Sequence, residues 1–149
     1  MALDITTRHL EPGDRAAWEP LFQGYLTFYE ASLSDDLIDE TWTRLMSPDP
    51  QFHIGLGALD RDNRLVGIAH ILFHRSTWSK THYCYLEDLF VDPAIRAKGI
   101  GRKLIEAVYE EADRCNATRT YWATQEFNYR ARGLYDQVAT KSPFIQYRR

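Results

Sequence analysis

The spacing of apolar and polar residues predicts that the chain begins with a strand and two helices. Apolar and polar side chains alternate over residues 3–8, which predicts the strand. Apolar side chains then recur at helical spacing over residues 18–29 and 37–45, which predicts the helices. Asp14 and Ser34 stand just before these segments, where a side-chain oxygen can cap the first free amides of a helix.

The middle of the chain has the pattern of three consecutive strands. Residues 52–59 and 65–73 flank the polar residues 60–63, which predicts a hairpin with a tight turn. Residues 83–91 end in an almost continuous apolar run, which is typical of a central strand that is buried on both faces.

The last third alternates again between helix and strand. Residues 99–115 have one apolar helical face, and the pattern predicts a strand at 118–124, a short helix at 128–138 and a last strand at 142–147. The element order predicts an α/β fold in a single domain over residues 1–149. Parallel pairing is expected beside an antiparallel meander, because two passages run strand–helix–strand.

Composition excludes several classes of protein. The chain has 149 residues, a formal net charge of −3 and 44% hydrophobic residues, so it can build a core without a metal or a disulfide. We expect no nucleic-acid partner at this charge, and no membrane span, because no apolar run approaches roughly 18 residues. Cys84 and Cys115 lack the spacing of a zinc or redox motif. The N-terminal residues do not resemble a signal peptide, so we expect the protein in the cytoplasm. No metal site is expected, because His70 and His74 have no third ligand at metal spacing.

Charge is distributed unevenly along the sequence. The segment between Arg15 and Arg44 contains acids and no Lys or Arg, whereas residues 94–105 contain four basic residues and no acid. The acids are Glu19, Glu30, Asp35, Asp36, Asp39 and Glu40. The first segment therefore suits a cation, and the second suits an anion.

The loop after the predicted central strand is the most informative segment. Residues 94–103 read Ala-Ile-Arg-Ala-Lys-Gly-Ile-Gly-Arg-Lys and lead into a helix. A helix N-terminus presents unpaired amides, and glycine lets a ligand approach the backbone, so this loop predicts an anion site. The alternative is that Gly99 and Gly101 only form a turn. Leu104 stands where a dinucleotide motif needs glycine, and no Ser or Thr follows as in a P-loop.

Two motifs resemble those of the GNAT N-acetyltransferase superfamily. Arg96-x-x-Gly99-x-Gly101, after a strand that ends in Val-Asp-Pro, resembles its acetyl-CoA signature, and residues 128–135 resemble its later Asn-x-x-Ala-x-x-Leu-Tyr element. Residues 86–91 are similar to spermidine/spermine acetyltransferases, and residues 141–147 resemble a yeast histone- and polyamine-acetylating branch. The resemblance implies a mixed central sheet of about seven strands with helices on both faces.

The resemblance also implies acetyl-CoA as co-substrate. It assigns the pyrophosphate to loop residues Arg96, Ala97, Lys98, Gly99, Ile100, Gly101 and Arg102. It assigns the pantetheine arm to a strand edge at Leu89, Phe90 and Val91, and to Asn128.

Acetyl transfer needs a neutral amine, and a lysine-like amine with a pKa of about 10.4 is neutral only about 0.04% of the time at pH 7. The resemblance makes Glu87 the candidate base. Asp88 is the alternative, because successive strand residues face opposite sides unless a bulge intervenes. The resemblance also makes Tyr135 the candidate acid for the leaving thiolate, with direct attack in a ternary complex. The alternative for both carboxylates is a purely local structural pairing.

The acidic segment lies where family members build the acceptor wall, so we expect a cationic acceptor such as a polyamine, a lysine-like amine or a basic peptide. The candidate acceptor-binding residues are Tyr29, Glu30, Asp35 and Asp88. The alternative for Asp35 is a simple helix N-terminal charge. A homodimer is expected from the resemblance, and the competing functional class is a non-catalytic CoA-binding sensor or interaction module.

Overall fold

The computed structural model describes residues 4–95 and 99–149, which form an α/β fold around one mixed sheet. The strands follow the chain in spatial order β1-β2-β3-β4-β5. Their bounds are Thr6–His9 for β1, Ile54–Leu59 for β2, Leu65–His74 for β3, Tyr83–Val91 for β4 and Arg119–Tyr121 for β5. The first four strands pair antiparallel, and β5 runs parallel to β4.

Helices cover both faces of the sheet. Helices α1 (Arg15–Phe28) and α2 (Asp35–Leu45) pack on one face around the buried side chains of Trp18, Ile38 and Ile68. Helix α3 (Ile100–Arg114) packs on the other face, with Leu104, Ile105 and Val108 fully buried. Helix α4 (Tyr129–Val138) follows β5 and packs its apolar side chains against the α3 layer. Because each helix has one apolar stripe, burial of that stripe fixes the layers.

The sheet of the described residues has five strands, so the expectation of about seven is wrong. Residues 142–147, predicted as a last strand, have no regular structure, and the side chains of Phe144, Ile145 and Tyr147 are exposed. Strand β5 is also shorter than the predicted segment 118–124. An alternating pattern forms a strand only where a neighbouring backbone completes its hydrogen bonds. No strand of the described sheet lies beside residues 142–147.

Strands β4 and β5 separate along their length. Only Tyr83, Cys84 and Tyr85 of β4 have register partners in β5, although β4 continues to Val91. Strand β5 ends at Tyr121, and the chain returns as α4. The second half of β4 therefore borders a cleft rather than a fifth strand.

A β-bulge interrupts β4 beside this cleft. His70 of β3 is opposite Asp88, whereas the next residue, Ile71, is opposite Leu86, so Glu87 is an extra residue in the ladder. A bulge changes the direction of the side chains next to it.

None of the described helices has the length and apolar character that a membrane span requires.

Candidate cofactor and acceptor site

A cleft of about 470 Å³ lies where β4 and β5 separate. Its walls come from the second half of β4, the first turn of α3, helix α4 and the C-terminal part of α1. The predicted cofactor residues that line it are Leu89, Phe90, Val91, Gly99, Ile100, Gly101, Arg102 and Asn128. Arg96, Ala97 and Lys98, also predicted for the cofactor, lie outside the described residues. One cleft thus brings together every described member of that set.

One end of the cleft is the N-terminus of α3. Gly99 occupies the N-cap position with φ 78°, a left-handed conformation that favours glycine. The first intrahelical bond runs from the Lys103 amide to the Gly99 carbonyl. The amides of the preceding turn have no acceptor within the helix and carry partial positive charge. Arg102 adds a cation and donates a hydrogen bond to Gln137 of α4, which joins the two walls. This end of the cleft suits a phosphate group.

The middle of the cleft suits an extended arm. Leu89, Phe90 and Val91 line it beyond the end of β5, so a ligand there would run along a strand. Asn128 stands at the N-cap position of α4, and its side-chain amide donates to Thr124 Oγ1 at 3.0 Å. That bond orients the Asn128 side chain at the cleft wall.

Tyr135 lies at the junction of this cleft with a smaller one of about 20 Å³. Its ring meets Trp122 edge to face, with 5.4 Å between the centroids. Burial, with a contribution from nearby Tyr29, raises the pKa of the Tyr135 phenol to about 12. The phenol therefore keeps its proton at neutral pH and can act as a hydrogen-bond donor.

Glu87 lines the smaller cleft and faces a histidine. Its Oε1 atom lies 2.5 Å from Nε2 of His53, and its side chain is 46% exposed. The bulge frees Glu87 from the ladder register, which lets it reach His53. The remaining lining residues of this cleft are Tyr25, Tyr29, Leu86, Leu89, Trp122, Ala123 and Tyr135. Of the two candidate bases, Glu87 is thus the one that lines the smaller cleft.

Asp88 is paired with a second histidine that is buried. Its Oδ2 lies 2.8 Å from Nδ1 of His70, and the Trp18 indole N–H donates to His70 Nε2 at 3.0 Å. The Tyr25 hydroxyl donates to the Glu87 carbonyl oxygen at 3.4 Å, and the neighbouring Asp88 carboxylate acts on it electrostatically. Burial, reinforced by Asp88, raises the pKa of Tyr25.

The sequence did not predict these roles for Trp18, Tyr25, His53 and His70. His70 was considered only as a metal ligand, for which a third partner is lacking. Their partners lie as many as 62 positions away in sequence, so no local pattern could reveal the contacts. The one available signal was a single histidine within the apolar strand at residues 65–73.

Three of the six acids in the segment of α1 and α2 pair with arginines of the same protein. Arg15 contacts both Glu19 and Asp39 at 2.6 Å, and Arg44 contacts Glu40 at 3.1 Å. Asp35 and Asp36 stand in the first turn of α2, where Ser34 accepts a hydrogen bond from the Leu37 amide. Their position favours the helix N-terminal interpretation.

Tyr29, of the predicted acceptor residues, lines both clefts. Glu30 follows α1 with φ 54° and is exposed, and neither Glu30 nor Asp35 lines the described clefts. Asp88 lines neither described cleft. Among the described residues, no group of three His, Cys, Asp or Glu side chains could hold a metal ion.

Comparison with known proteins gives a family match, one relative that matches along nearly the whole chain and others that match part of it. The model of the acetyltransferase (GNAT) family matches residues 18–139. The D-amino-acid N-acetyltransferase of Saccharomyces cerevisiae is 34% identical over 145 residues, which are 97% of this chain and 90% of that protein. The thialysine N-epsilon-acetyltransferase of Bos taurus is 39% identical over 77 residues, 52% of this chain and 45% of that protein.

The fold is also that of solved acetyltransferases. An aminoglycoside N-acetyltransferase solved in complex with CoA superposes with a TM-score of 0.81 at 15% identity, covering 100% of this chain and 96% of that one. At this identity the likeness concerns the fold alone.

Proposed function

Because the chain belongs to the GNAT acetyltransferase family, we propose that it moves the acetyl group of acetyl-CoA to a primary amine by direct attack in a ternary complex. The observation that carries this proposal is the continuity of the two clefts. The larger one begins at the N-terminus of α3 and ends at Tyr135, where the smaller one brings in Glu87. From the N-terminus of α3 onward, the clefts thus offer first an anion site, then a strand-lined channel, then a proton donor and last a carboxylate.

The cofactor would lie along the larger cleft. The pyrophosphate would be held by the amides of the first turn of α3 and by Arg102, because both stabilise negative charge. The pantetheine arm would follow Leu89 to Val91 toward Tyr135. This orientation would place the thioester at the junction of the two clefts, within reach of both reacting groups.

Glu87 is the proposed base. The amine nitrogen attacks the thioester carbonyl carbon and gives up a proton to the Glu87 carboxylate. The C–S bond then breaks, and the products are the acetylated amine and CoA. His53 bonds the same carboxylate at 2.5 Å and is 32% exposed, so it offers the proton a path to solvent.

Tyr135 is the proposed acid. With a pKa of about 12 raised by burial, its phenol stays protonated and can donate its proton to the sulfur as the C–S bond lengthens. Solvent then returns a proton to the Tyr135 phenolate before the next turnover. An acyl-enzyme is not part of the proposal. Cys84 is buried within the α3 layer, and burial raises the pKa of its thiol to about 11, so its thiolate is scarce at neutral pH.

The acceptor we propose is a cationic amine. Aromatic rings and one carboxylate form the smaller cleft, a combination that attracts ammonium groups. The described residues that line it include no Lys or Arg to receive an acceptor carboxylate. A second acceptor class, the α-amine of a D-amino acid, is favoured by the similarity to the yeast relative with that activity in its name.

Domain organisation and assembly are two further parts of this proposal. We propose that residues 1–149 act as a single domain and that the protein is a homodimer. The exposed side chains of Phe144, Ile145 and Tyr147 support an assembly that covers them. Light scattering on the full chain and on a variant with all three changed to Ser tests the dimer, which the variant should weaken.

Thiol release from acetyl-CoA by the purified protein tests the function. The acceptor panel is spermine, spermidine, lysine, a histone-tail peptide, D-alanine, glutamate and an aminoglycoside, with Glu87→Gln as the matched control. Turnover of cationic amines that Glu87→Gln reduces supports the proposal. Turnover of D-alanine alone supports the second acceptor class. Tight CoA binding without any turnover would favour a CoA-binding sensor and contradict the transferase assignment.

A further inference from the structure

Trp18, His70 and Asp88 form a hydrogen-bond chain that leads outward from the core. Tyr25 stands at its outer end, where the Asp88 carboxylate acts on the Tyr25 hydroxyl, and the four side chains are called the Trp18–Tyr25 chain below. Trp18 is fully buried and His70 is 2% exposed, whereas Tyr25 lines both clefts. The proposed acetyl transfer gives the buried end of this chain no role.

The direction of every proton in the chain is fixed by chemistry. An indole N–H can only donate, so His70 Nε2, at 3.0 Å, must accept and carries no proton. The proton of a neutral imidazole then resides on Nδ1, which donates to Asp88 Oδ2 at 2.8 Å. His70 is therefore the neutral Nδ1–H tautomer.

The same reasoning extends to Tyr25. Among the described residues, its hydroxyl donates to the Glu87 carbonyl oxygen at 3.4 Å, and the Asp88 carboxylate, which is also an acceptor, attracts the same proton. The single hydroxyl proton therefore points toward these acceptors on β4, the direction called inward below. The lone pairs of the Tyr25 oxygen are then left for a ligand in the clefts, both of which Tyr25 lines.

We propose that Trp18, His70 and Asp88 direct the Tyr25 hydroxyl proton inward, so that the Tyr25 oxygen receives an N–H of the acceptor amine. Tyr25 is the residue that touches the amine, and His70 is a positioning residue that acts through Asp88. This inference rests on the proposed acetyl transfer and extends it. A hydroxyl free to rotate would present its proton to the amine for part of the time, which would oppose an N–H donor.

The tautomer of His70 tests the inference without turnover. Long-range ¹⁵N–¹H spectra of the wild-type imidazoles, with His70→Asn to assign the signals, report which ring nitrogen carries the proton. We expect a pyridine-type Nε2 and a protonated Nδ1. A protonated Nε2, alone or together with Nδ1, would overturn the chain. Trp18→Phe removes the indole donor and should produce a mixture of tautomers.

Steady-state kinetics tests the proposed role of the Trp18–Tyr25 chain in binding the amine. Tyr25→Phe should lower kcat/KM for the amine about tenfold and leave KM for acetyl-CoA unchanged, because one hydrogen bond is lost. His70→Leu should cost about the same. His70→Asn should recover most of the activity, since the amide nitrogen of Asn stands at the same bond separation from the backbone as Nδ1.

The double variant separates positioning from a general loss of structure. If His70 acts through Tyr25, His70→Leu should cost less than about twofold in the Tyr25→Phe background. An undiminished tenfold cost there would overturn the proposal. Should His70→Leu fail to fold, Trp18→Phe takes its place in the same comparison. An active enzyme with the wrong tautomer refutes the chain alone, whereas the expected tautomer in a protein that acetylates no amine refutes the proposed function.

Discussion

Nε2 of His53 lies 2.5 Å from Oε1 of Glu87, although the two residues are 34 positions apart in sequence. His53 precedes β2, and Glu87 is the bulged residue of β4. Their contact directs the Glu87 carboxylate at the border of the smaller cleft, while the neighbouring Asp88 pairs with buried His70. Two adjacent acids thus have one histidine each, one solvent-exposed and one in the core.

This arrangement predicts that Glu87, rather than Asp88, is needed to deprotonate the amine. Glu87→Gln should lower kcat by about 10²–10⁴ at pH 7. The deficit should shrink toward pH 10, because an amine with a pKa of about 10.4 then deprotonates without help. Rate profiles from pH 6 to 10 check this. His53→Ala should cause a smaller loss, because it leaves the carboxylate in place.

Asp88→Asn is the matched control for that profile. It keeps the volume of the side chain and should alter KM for the amine without adding a deficit that disappears at high pH. A deficit that disappears at high pH in Asp88→Asn, but not in Glu87→Gln, would transfer the role of base to Asp88.

Tyr135 should matter for turnover without shaping the pH profile below pH 10. Tyr135→Phe should lower kcat by about 10²–10³, because the leaving sulfur loses its donor. Burial raises the pKa of Tyr135 to about 12, so the wild-type phenol does not titrate in this range. Full turnover in Tyr135→Phe would show that another group serves the sulfur.

Tyr109→Phe is the matched control for Tyr135. The Tyr109 hydroxyl donates to the Val138 carbonyl at 2.8 Å, and Tyr109 borders neither described cleft. Loss of this bond should lower the free energy of unfolding by about 1 kcal/mol and leave kcat unchanged.

The periodicity of the sequence predicted most elements because each of them buries one face. Residues 83–91 were predicted as a central strand, and β4 has the same bounds. The pattern of residues 99–115 likewise predicted α3 to within one residue at each end. Such a pattern does not form the predicted strand where no neighbouring strand lies beside it. Residues 142–147 are an example, and their apolar side chains are exposed.

The site was predictable only in part, and for a physical reason. The glycines before α3 and the Asn-to-Tyr segment carry recognisable chemistry, and their described members meet in one cleft. The bulge at Glu87 depends on the register between two strands, which no single segment encodes. The contacts of His70 join three separate elements, so only the folded chain reveals them.

The conformation of Gly99 predicts a cost for any side chain at that position. Gly99 has φ 78° with nothing within 4 Å of an added Cβ, so the penalty of Gly99→Ala is conformational rather than steric. We expect a loss of about 1–2 kcal/mol in the free energy of unfolding, and weaker CoA binding because the first turn of α3 shifts. Urea denaturation and calorimetric CoA titration measure the two effects.

Gly133→Ala is the control with the opposite expected sign. Gly133 lies inside α4, has an ordinary φ and would place its Cβ in open space. Alanine there should stabilise the protein by about 0.5–1 kcal/mol, because glycine is a poor helix residue. Equal effects of the two substitutions would contradict the role assigned to the left-handed conformation of Gly99.

Cys84 predicts a specific loss of stability in alkali. Its side chain is fully buried, and burial raises the pKa of its thiol from 9.0 to about 11. The folded state therefore holds this proton more tightly than the unfolded state. Its contribution is fully present below pH 9 and is lost as the pH rises from about 9 through about 11, by about 2–3 kcal/mol in total.

Urea denaturation at pH 8, 9.5 and 10.5 tests this loss through the change in the free energy of unfolding with pH. Cys84→Ala should reduce that slope, whatever constant cost its smaller side chain adds at every pH. Cys115→Ala is the control, because Cys115 is only half-buried and should change the slope less. If Cys84→Ala and the wild-type chain lose stability in parallel between pH 8 and 10.5, other groups drive the alkaline transition and the buried thiol does not.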